Sequence, residues 1–388
     1  MPGELDRYPA AVNVISLKGH AMLFRCLYSG TASTALVSLF LVFGVATGCS
    51  DDTSGGNDDS FNLSEGDADL DDADEGESDA DAPSQDVELP EDTGQDDAGE
   101  EPAAGFNPYE AGEYDVLVED VSAGPADFIV FYPQQTGSYP VVVYQHGMLM
   151  NNAHYSQLLT HVASHGFIVV APQMYPPGDN PLAAPDTEDE VELANELYDW
   201  LHDELDAHID ATADTDRFAL AGHSRGAKVI WWALREQPRT VDAVAGVDPV
   251  DGTGGPFGNE PQITDDPPDI DAPTLLIGAG LGGESAGFGP ACAPDGENYE
   301  EFFAVSSSPA WQIVAPEYGH LDMLDDSPEG CGFSCDACVD GPSRAPMRQL
   351  TGGLLVALFR ATLYDDSSAL DWLEDEQAAP VTVDIVVK

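Results

Sequence analysis

Positive charge is what this chain has least of. Its 388 residues hold 12 Lys and Arg against 72 Asp and Glu, a formal net charge of −60. A surface so poor in cations has little with which to neutralise phosphates, which argues against nucleic acid and anionic membrane surfaces as partners. Long apolar runs are also scarce. The run at Ala35–Ala46 (ALVSLFLVFGVA) is too short to cross a bilayer comfortably. Histidine is scarcest where it matters most: of nine in the chain, only His320 lies beyond residue 223.

The missing cations shape the N-terminal part most strongly. Residues 51–101 contain 22 Asp or Glu and no Lys or Arg. Such a segment buries too little apolar surface to offset the entropy of ordering it, so it reads as an extended, self-repelling tether. Its aspartates lack the Asp-x-Asp-x-Asp-Gly spacing of a calcium loop. Before it, Arg25, the apolar run and Ala46-Thr47-Gly48-Cys49 follow the order of a secretory signal. Small residues directly before a cysteine resemble the lipobox of bacterial lipoproteins, in which Cys49 would become the lipidated first residue. Met22 is an alternative start that gives a more ordinary signal length. The expected organisation is a signal over 1–48, a lipidation site and acidic linker over 49–104, and a catalytic domain over 105–388. The expected location is outside the cytoplasm, held to a bacterial membrane through Cys49.

Residues 105–388 have globular composition and enough length for one large core. They contain Cys292, Cys331, Cys335 and Cys338. In an oxidising compartment an even set of four favours two disulfides, with three possible connectivities. A bridge from Cys292 to one of the other three would leave a small local ring. The Cys-x-x-x-Cys-x-x-Cys spacing fits zinc less well, and neither metal nor cofactor is expected.

The chemistry is signalled by Gly222-His223-Ser224-Arg225-Gly226, directly after the apolar run Phe218-Ala219-Leu220-Ala221. In a chain with 38 glycines the bare Gly-x-Ser-x-Gly pattern arises readily by chance; its context gives it force. A short buried strand precedes it, and Ala227, Val229, Ile230, Trp231, Ala233 and Leu234 follow at helical spacing towards Pro238. A serine at such a strand-to-helix turn is the nucleophile elbow of the α/β-hydrolases, where glycines permit a strained backbone that lifts the hydroxyl clear of the sheet. Serine, acid and histidine follow in that chain order, which leaves His320 as the base.

Around the elbow, strands are expected near Tyr114–Val118 and at Phe128–Tyr132, Pro140–Gln145, Gly166–Pro172, Ala243–Val247, Thr274–Ala279 and Trp311–Ala315. Helices are expected at His154–Ser164 and Glu188–Ile209. The alternation predicts an α/β fold with a doubly wound, mostly parallel sheet and the site at the strand carboxyl ends. His146-Gly147-Met148 ends a strand where a first oxyanion donor belongs, so the backbone N–H groups of Met148 and Arg225 are the candidate pair. His146 precedes the nucleophile and reads as structural. For the acid, Asp248 ends the strand after Ser224, Asp251 competes locally, and Glu284 is the carboxylate near the next strand end. The glycine-rich stretches Gly252–Gly258 and Gly278–Gly289, with Phe257, Leu281 and Phe288, are candidates to line a cleft.

Six motifs in order then resemble one family: HGMLMNNAHYSQLLTHVASHGFIVVAPQMY (146–175), LAGHSRG (220–226), GVDPVDGT (246–253), ACAPDGENYEEFF (291–303), PAWQIVAPEYGHLDMLDD (309–326) and SRAPMRQLTGGLLVALF (343–359). The chain is similar to the chlorophyllases. The resemblance implies a serine esterase that cleaves the phytyl ester of chlorophyll, with its triad on Ser224, Asp248 and His320. Met148 stands where plant members commonly carry an aromatic, and Ala227 replaces a common glycine; the lipobox and tether are foreign to the plant enzymes. These departures leave ester chemistry intact and bear on the substrate. Lipid, short-chain or cutinase-like polyester hydrolysis is the alternative within the class, each requiring an apolar ester as partner. A catalytically inactive surface-binding lipoprotein is the alternative outside it.

Overall fold

The computed structural model describes residues 105–176, 186–252, 260–287, 289–328, 331 and 335–388. Cys49, the signal segment and the acidic tether fall outside these residues, as do Phe257 and Phe288. Nine strands form one sheet. They are β1 (Val116–Val121), β2 (Phe128–Pro133), β3 (Ser138–Gln145), β4 (Ile168–Pro172), β5 (Thr212–His223), β6 (Ala243–Val247), β7 (Thr274–Ala279), β8 (Ala310–Ala315) and β9 (Asp384–Val387). Their spatial order is β1-β2-β4-β3-β5-β6-β7-β8-β9. From β4 to β8 every neighbouring pair is parallel, while β1, β2 and β9 add antiparallel edges. This is the α/β-hydrolase architecture that the strand and helix alternation predicts.

The central strands read as unbroken apolar runs because both faces of the sheet are covered. Ile168–Pro172 and Ala243–Val247 are buried along their whole length. On one face lie α1 (Ser156–Ser164) and the long helix α5 (Arg344–Leu363). On the other lie α2 (Thr187–Glu204), α3 (Arg225–Glu236) and the short α4 (Tyr299–Val305). Trp231 of α3 meets Phe302 of α4 edge to face at 5.2 Å, which closes the second core beneath β6 and β7. Each fully buried Val, Leu, Ile or Phe on these faces contributes about 1.5–3 kcal/mol.

The strand order itself places the site. After β3 the chain turns to β4 on one side, then crosses back over β3 to β5 on the other. The crevice left at such a reversal lies beyond the strand carboxyl ends. The segments that leave β3 and β5 there are Gly147-Met148 and Ser224-Arg225.

Candidate active site

Ser224 stands alone between β5 and α3 with φ 54° and ψ −126°. That conformation costs an L-residue on the order of 1–3 kcal/mol, so the strain sits on the serine itself. The flanking glycines serve a different need from the one expected of them, since neither has positive φ. A Cβ on Gly222 would lie 2.7 Å from the Gly226 carbonyl carbon, and one on Gly226 would lie 2.5 Å from the Gln145 oxygen. Their role is close approach: Gly222 lets the end of β5 meet the start of α3, and Gly226 lets the start of α3 press against the end of β3.

The Ser224 hydroxyl lies 3.0 Å from Nε2 of His320, and Nδ1 of His320 lies 2.6 Å from Oδ2 of Asp248. All three side chains are buried. Asp248 leaves β6 with φ 38°, and its other oxygen accepts the Ala279 N–H at 2.9 Å. The carboxylate therefore has one oxygen fixed by the backbone and one free to orient the imidazole. His320 follows β8 in a turn held by Asp322, whose Oδ2 accepts the N–H of Gly319 at 2.6 Å and of Gly341 at 2.7 Å.

The competing acids are elsewhere. Asp251 is fully buried, accepts the Ile263 and Thr264 N–H groups at 2.9 Å, and pairs with Lys228 at 3.4 Å. It holds a loop together and does not reach His320. Glu284 is exposed. The segment leaving β7 is a glycine turn, and a Cβ at Gly282 would come within 2.9 Å of Asp248 Oδ2. Glycine here leaves room for a carboxylate arriving from the neighbouring strand.

Met148 lies in a turn closed by the Met150 N–H on the Gly147 oxygen at 3.1 Å. A cavity of about 100 Å³ opens on Ser224, and both Met148 and Arg225 line it. Arg225 begins α3, where the helix dipole favours negative charge. His146 is buried and, as expected, plays a structural part. Its Nδ1 donates to the Gly147 oxygen at 2.8 Å, its Nε2 accepts the Met174 N–H at 3.1 Å, and burial lowers its pKa to about 4.

The cavity walls and the side chains behind them hold groups that no motif announced. Arg225 reaches Glu190 of α2 at 2.5 Å, and burial pushes Glu190 up to about 7 against the pull of that guanidinium. Lys228 is 1 % exposed between Asp251 and Glu260, and Glu260 accepts the Thr187 N–H at 3.0 Å. These residues are far apart in sequence; the one local signal is Lys228, a lone cation within the apolar stretch Ala227–Leu234 one turn beyond Ser224. Cys292 lines the cavity too and is bridged to Cys338, while Cys331 is bridged to Cys335. Both bridges match the expected plan of one long link and one local ring, and they occupy the sulfurs that a zinc site would need. No group of three metal-binding side chains occurs among the described residues.

Of the two glycine-rich stretches, Gly252 lines the cavity, while residues 253–258 lie outside the described residues. Gly278 lies inside β7 with the Tyr299 ring against it, and the Leu281 N–H donates to the Tyr318 oxygen in a turn.

A parallel sheet with a serine at its elbow, a histidine after β8 and a buried carboxylate after β6 defines an α/β hydrolase. The family pattern of the chlorophyllases matches residues 104–388, and the chain belongs to that family. It is 41% identical to Chlorophyllase-2 of Arabidopsis thaliana over 275 residues, covering 67% of this chain and 85% of the plant protein. It is 36% identical to the chloroplastic Chlorophyllase-1 of Citrus sinensis, covering 68% and 80%. A putative carboxymethylenebutenolidase of Yersinia pestis is 27% identical, covering 54% and 78%. Family and fold together make the protein a carboxylic ester hydrolase.

Proposed function

We propose that the protein is a serine esterase in which Ser224 is the nucleophile, His320 the general base and Asp248 the acid that orients it. The observation that carries this reading is the hydrogen-bonded chain from Asp248 through His320 to Ser224, at 2.6 and 3.0 Å. His320 takes the hydroxyl proton through Nε2 as Ser224 attacks the ester carbonyl, and Asp248 stabilises the imidazolium that forms. The backbone N–H groups of Met148 and Arg225 hold the developing oxyanion. His320 returns the proton to the leaving alcohol; water, deprotonated in turn by His320, attacks the acyl carbonyl, and His320 gives that proton back to the Ser224 oxygen as the acid leaves.

Family membership supports the phytyl ester of chlorophyll as substrate. Met148 and the mixed polar and apolar cavity walls favour keeping smaller apolar esters as the second reading. Chlorophyll, tributyrin and a polyester film assayed side by side separate the two. Chlorophyllide formation supports the first, and ester turnover without chlorophyllide supports the second. Ser224→Ala should abolish turnover of every substrate that the protein accepts; full activity in that variant sinks the serine mechanism. Labelling of Ser224 by a fluorophosphonate excludes an inactive binding lipoprotein, because only an activated serine reacts.

We also infer export, with Cys49 lipidated and the acidic segment as a tether. The two disulfides support an oxidising compartment. Mass spectrometry of the mature N-terminus tests the anchor, and an unmodified Cys49 within an uncleaved leader overturns it.

A further inference from the structure

The ester mechanism leaves His223 unused, although it adjoins the nucleophile and is fully buried. Its ring lies 4.6 Å from that of His320, centroid to centroid. Its Nε2 is 2.9 Å from the His320 carbonyl oxygen, and its Nδ1 is 2.8 Å from the Tyr155 hydroxyl. That hydroxyl is 3.1 Å from the Gly147 nitrogen.

The directions of these bonds are forced. A carbonyl can only accept, so Nε2 carries the proton. Burial first, and then the neighbouring His320 and His146, hold the ring's pKa well below the ordinary range, so Nδ1 is an acceptor. The Tyr155 hydroxyl must then donate to Nδ1, and its oxygen accepts the Gly147 N–H. Gly147 is tied to the same arrangement, since a Cβ there would lie 2.8 Å from His223 Nδ1. One buried line of bonds thus runs from the turn carrying Met148, through the residue preceding Ser224, to the backbone of His320.

We propose that His223 and Tyr155 are positioning residues, which fix the base's loop and the oxyanion turn relative to the nucleophile by this line of three hydrogen bonds. The proposal rests on the serine-esterase reading. Neither residue touches the reacting atoms. Their work is to keep His320 Nε2 on the serine oxygen while the backbone of the Met148 turn stays at its distance from Ser224. An unpaired buried donor or acceptor anywhere along the line would be relieved by movement of a catalytic loop.

The test uses the whole protein with a short p-nitrophenyl ester, assayed well below each variant's melting temperature. His223→Leu keeps apolar bulk and removes both bonds. It should lower kcat about ten- to a hundredfold, in keeping with misplacement of catalytic groups. KM should stay within about twofold, because ground-state binding is untouched. His223→Gln, whose Nε2–H reaches the same carbonyl, should recover most of that loss, which a purely space-filling role would not require. Tyr155→Phe deletes one oxygen, keeps the ring and should also lower kcat. Wild-type kcat in a folded His223→Leu or in Tyr155→Phe overturns the proposal, and so does a Gln variant as poor as Leu. Ser224→Ala runs beside them: if it stays active the esterase mechanism itself fails, whereas if it is dead while His223→Leu is fully active only the brace fails.

Discussion

Replacing Asp248 with asparagine should cost nearly all of the turnover while leaving the fold in place, and the geometry says why. The side chain has no exposure and two obligations: Oδ1 accepts the Ala279 N–H at 2.9 Å, and Oδ2 faces His320 Nδ1 at 2.6 Å. An amide meets only one of these demands. If its oxygen stays on Ala279, its NH₂ faces Nδ1 and drives the proton to Nε2, where the imidazole can no longer accept from Ser224. If the amide flips, its NH₂ opposes the Ala279 N–H and leaves a buried clash of donors. The first arrangement costs less, so the wrong tautomer is the expected outcome. Loss of the tautomer and of the charge beneath the imidazolium lowers kcat by about 10⁴-fold, or about 5.4 kcal/mol at 1.36 kcal/mol per factor of ten. Steady-state hydrolysis of a short p-nitrophenyl ester, with circular dichroism to confirm folding, measures it. Asp251→Asn is the matched control. It should leave kcat of the folded fraction nearly intact yet lower stability by about 3 kcal/mol, since Lys228 loses its nearer buried partner. An Asp248→Asn variant within tenfold of wild type would refute the reasoning, and a crippled Glu284→Gln would move the acid to the end of β7.

Further expectations concern packing, bridges and pH. Gly226→Ala places a methyl 2.5 Å from the Gln145 oxygen, so it should cost roughly 1–3 kcal/mol and slow fluorophosphonate labelling as the α3 terminus moves off β3; unchanged labelling would count against the close-approach argument. The Cys292–Cys338 bridge closes 46 residues and is worth about 4 kcal/mol in the chain-entropy model, against about 2 kcal/mol for the four-residue Cys331–Cys335 ring. The double variant Cys292→Ala/Cys338→Ala should therefore melt well below Cys331→Ala/Cys335→Ala, and equal melting temperatures would contradict this. His146 is held neutral, its pKa lowered from 6.5 to about 4, so stability that is complete above 6.5 is lost as pH falls through 4. That fall is worth about 3 kcal/mol, and denaturant titrations of His146→Gln should show a flatter decline over this window than wild type; parallel profiles would dismiss the contribution.

How far the sequence discloses the fold depends on the range of each interaction. The strands at Ala243–Val247 and Thr274–Ala279 appear as expected because strands buried on both faces leave a local record, an apolar run bounded by polar turns. The α5 helix at Arg344–Leu363 left no such record. It is buried nearly all round from Leu350 to Phe359, so it lacks the amphipathic stripe by which helices are found. The β9 strand is short, mostly exposed, and exists because β8 offers an open edge, which no local pattern encodes.

The site divides along the same line. Ser224 and His320 were legible as candidates because an elbow motif and a chain order restrict them to single positions. The choice among Asp248, Asp251 and Glu284 was not, because residues alone do not state which carboxylate already has other partners. Asp251 is occupied by Lys228, Ile263 and Thr264, which is visible only once α3 and the loop after β6 are brought together. The same holds for the cavity walls. Glu190, Thr187 and Glu260 matter through Arg225 and Lys228 on the nucleophile helix, and each pairing joins segments that the sequence keeps dozens of residues apart. In a chain this acidic most carboxylates are solvated surface charges. The few with a task are distinguished by burial beside one of the scarce cations or against a backbone N–H. Arg225 and Lys228, two of only 12 Lys and Arg in the whole chain, both lie within four residues of Ser224. The scarcity that hides the functional acids in the sequence is, in the folded protein, what singles them out.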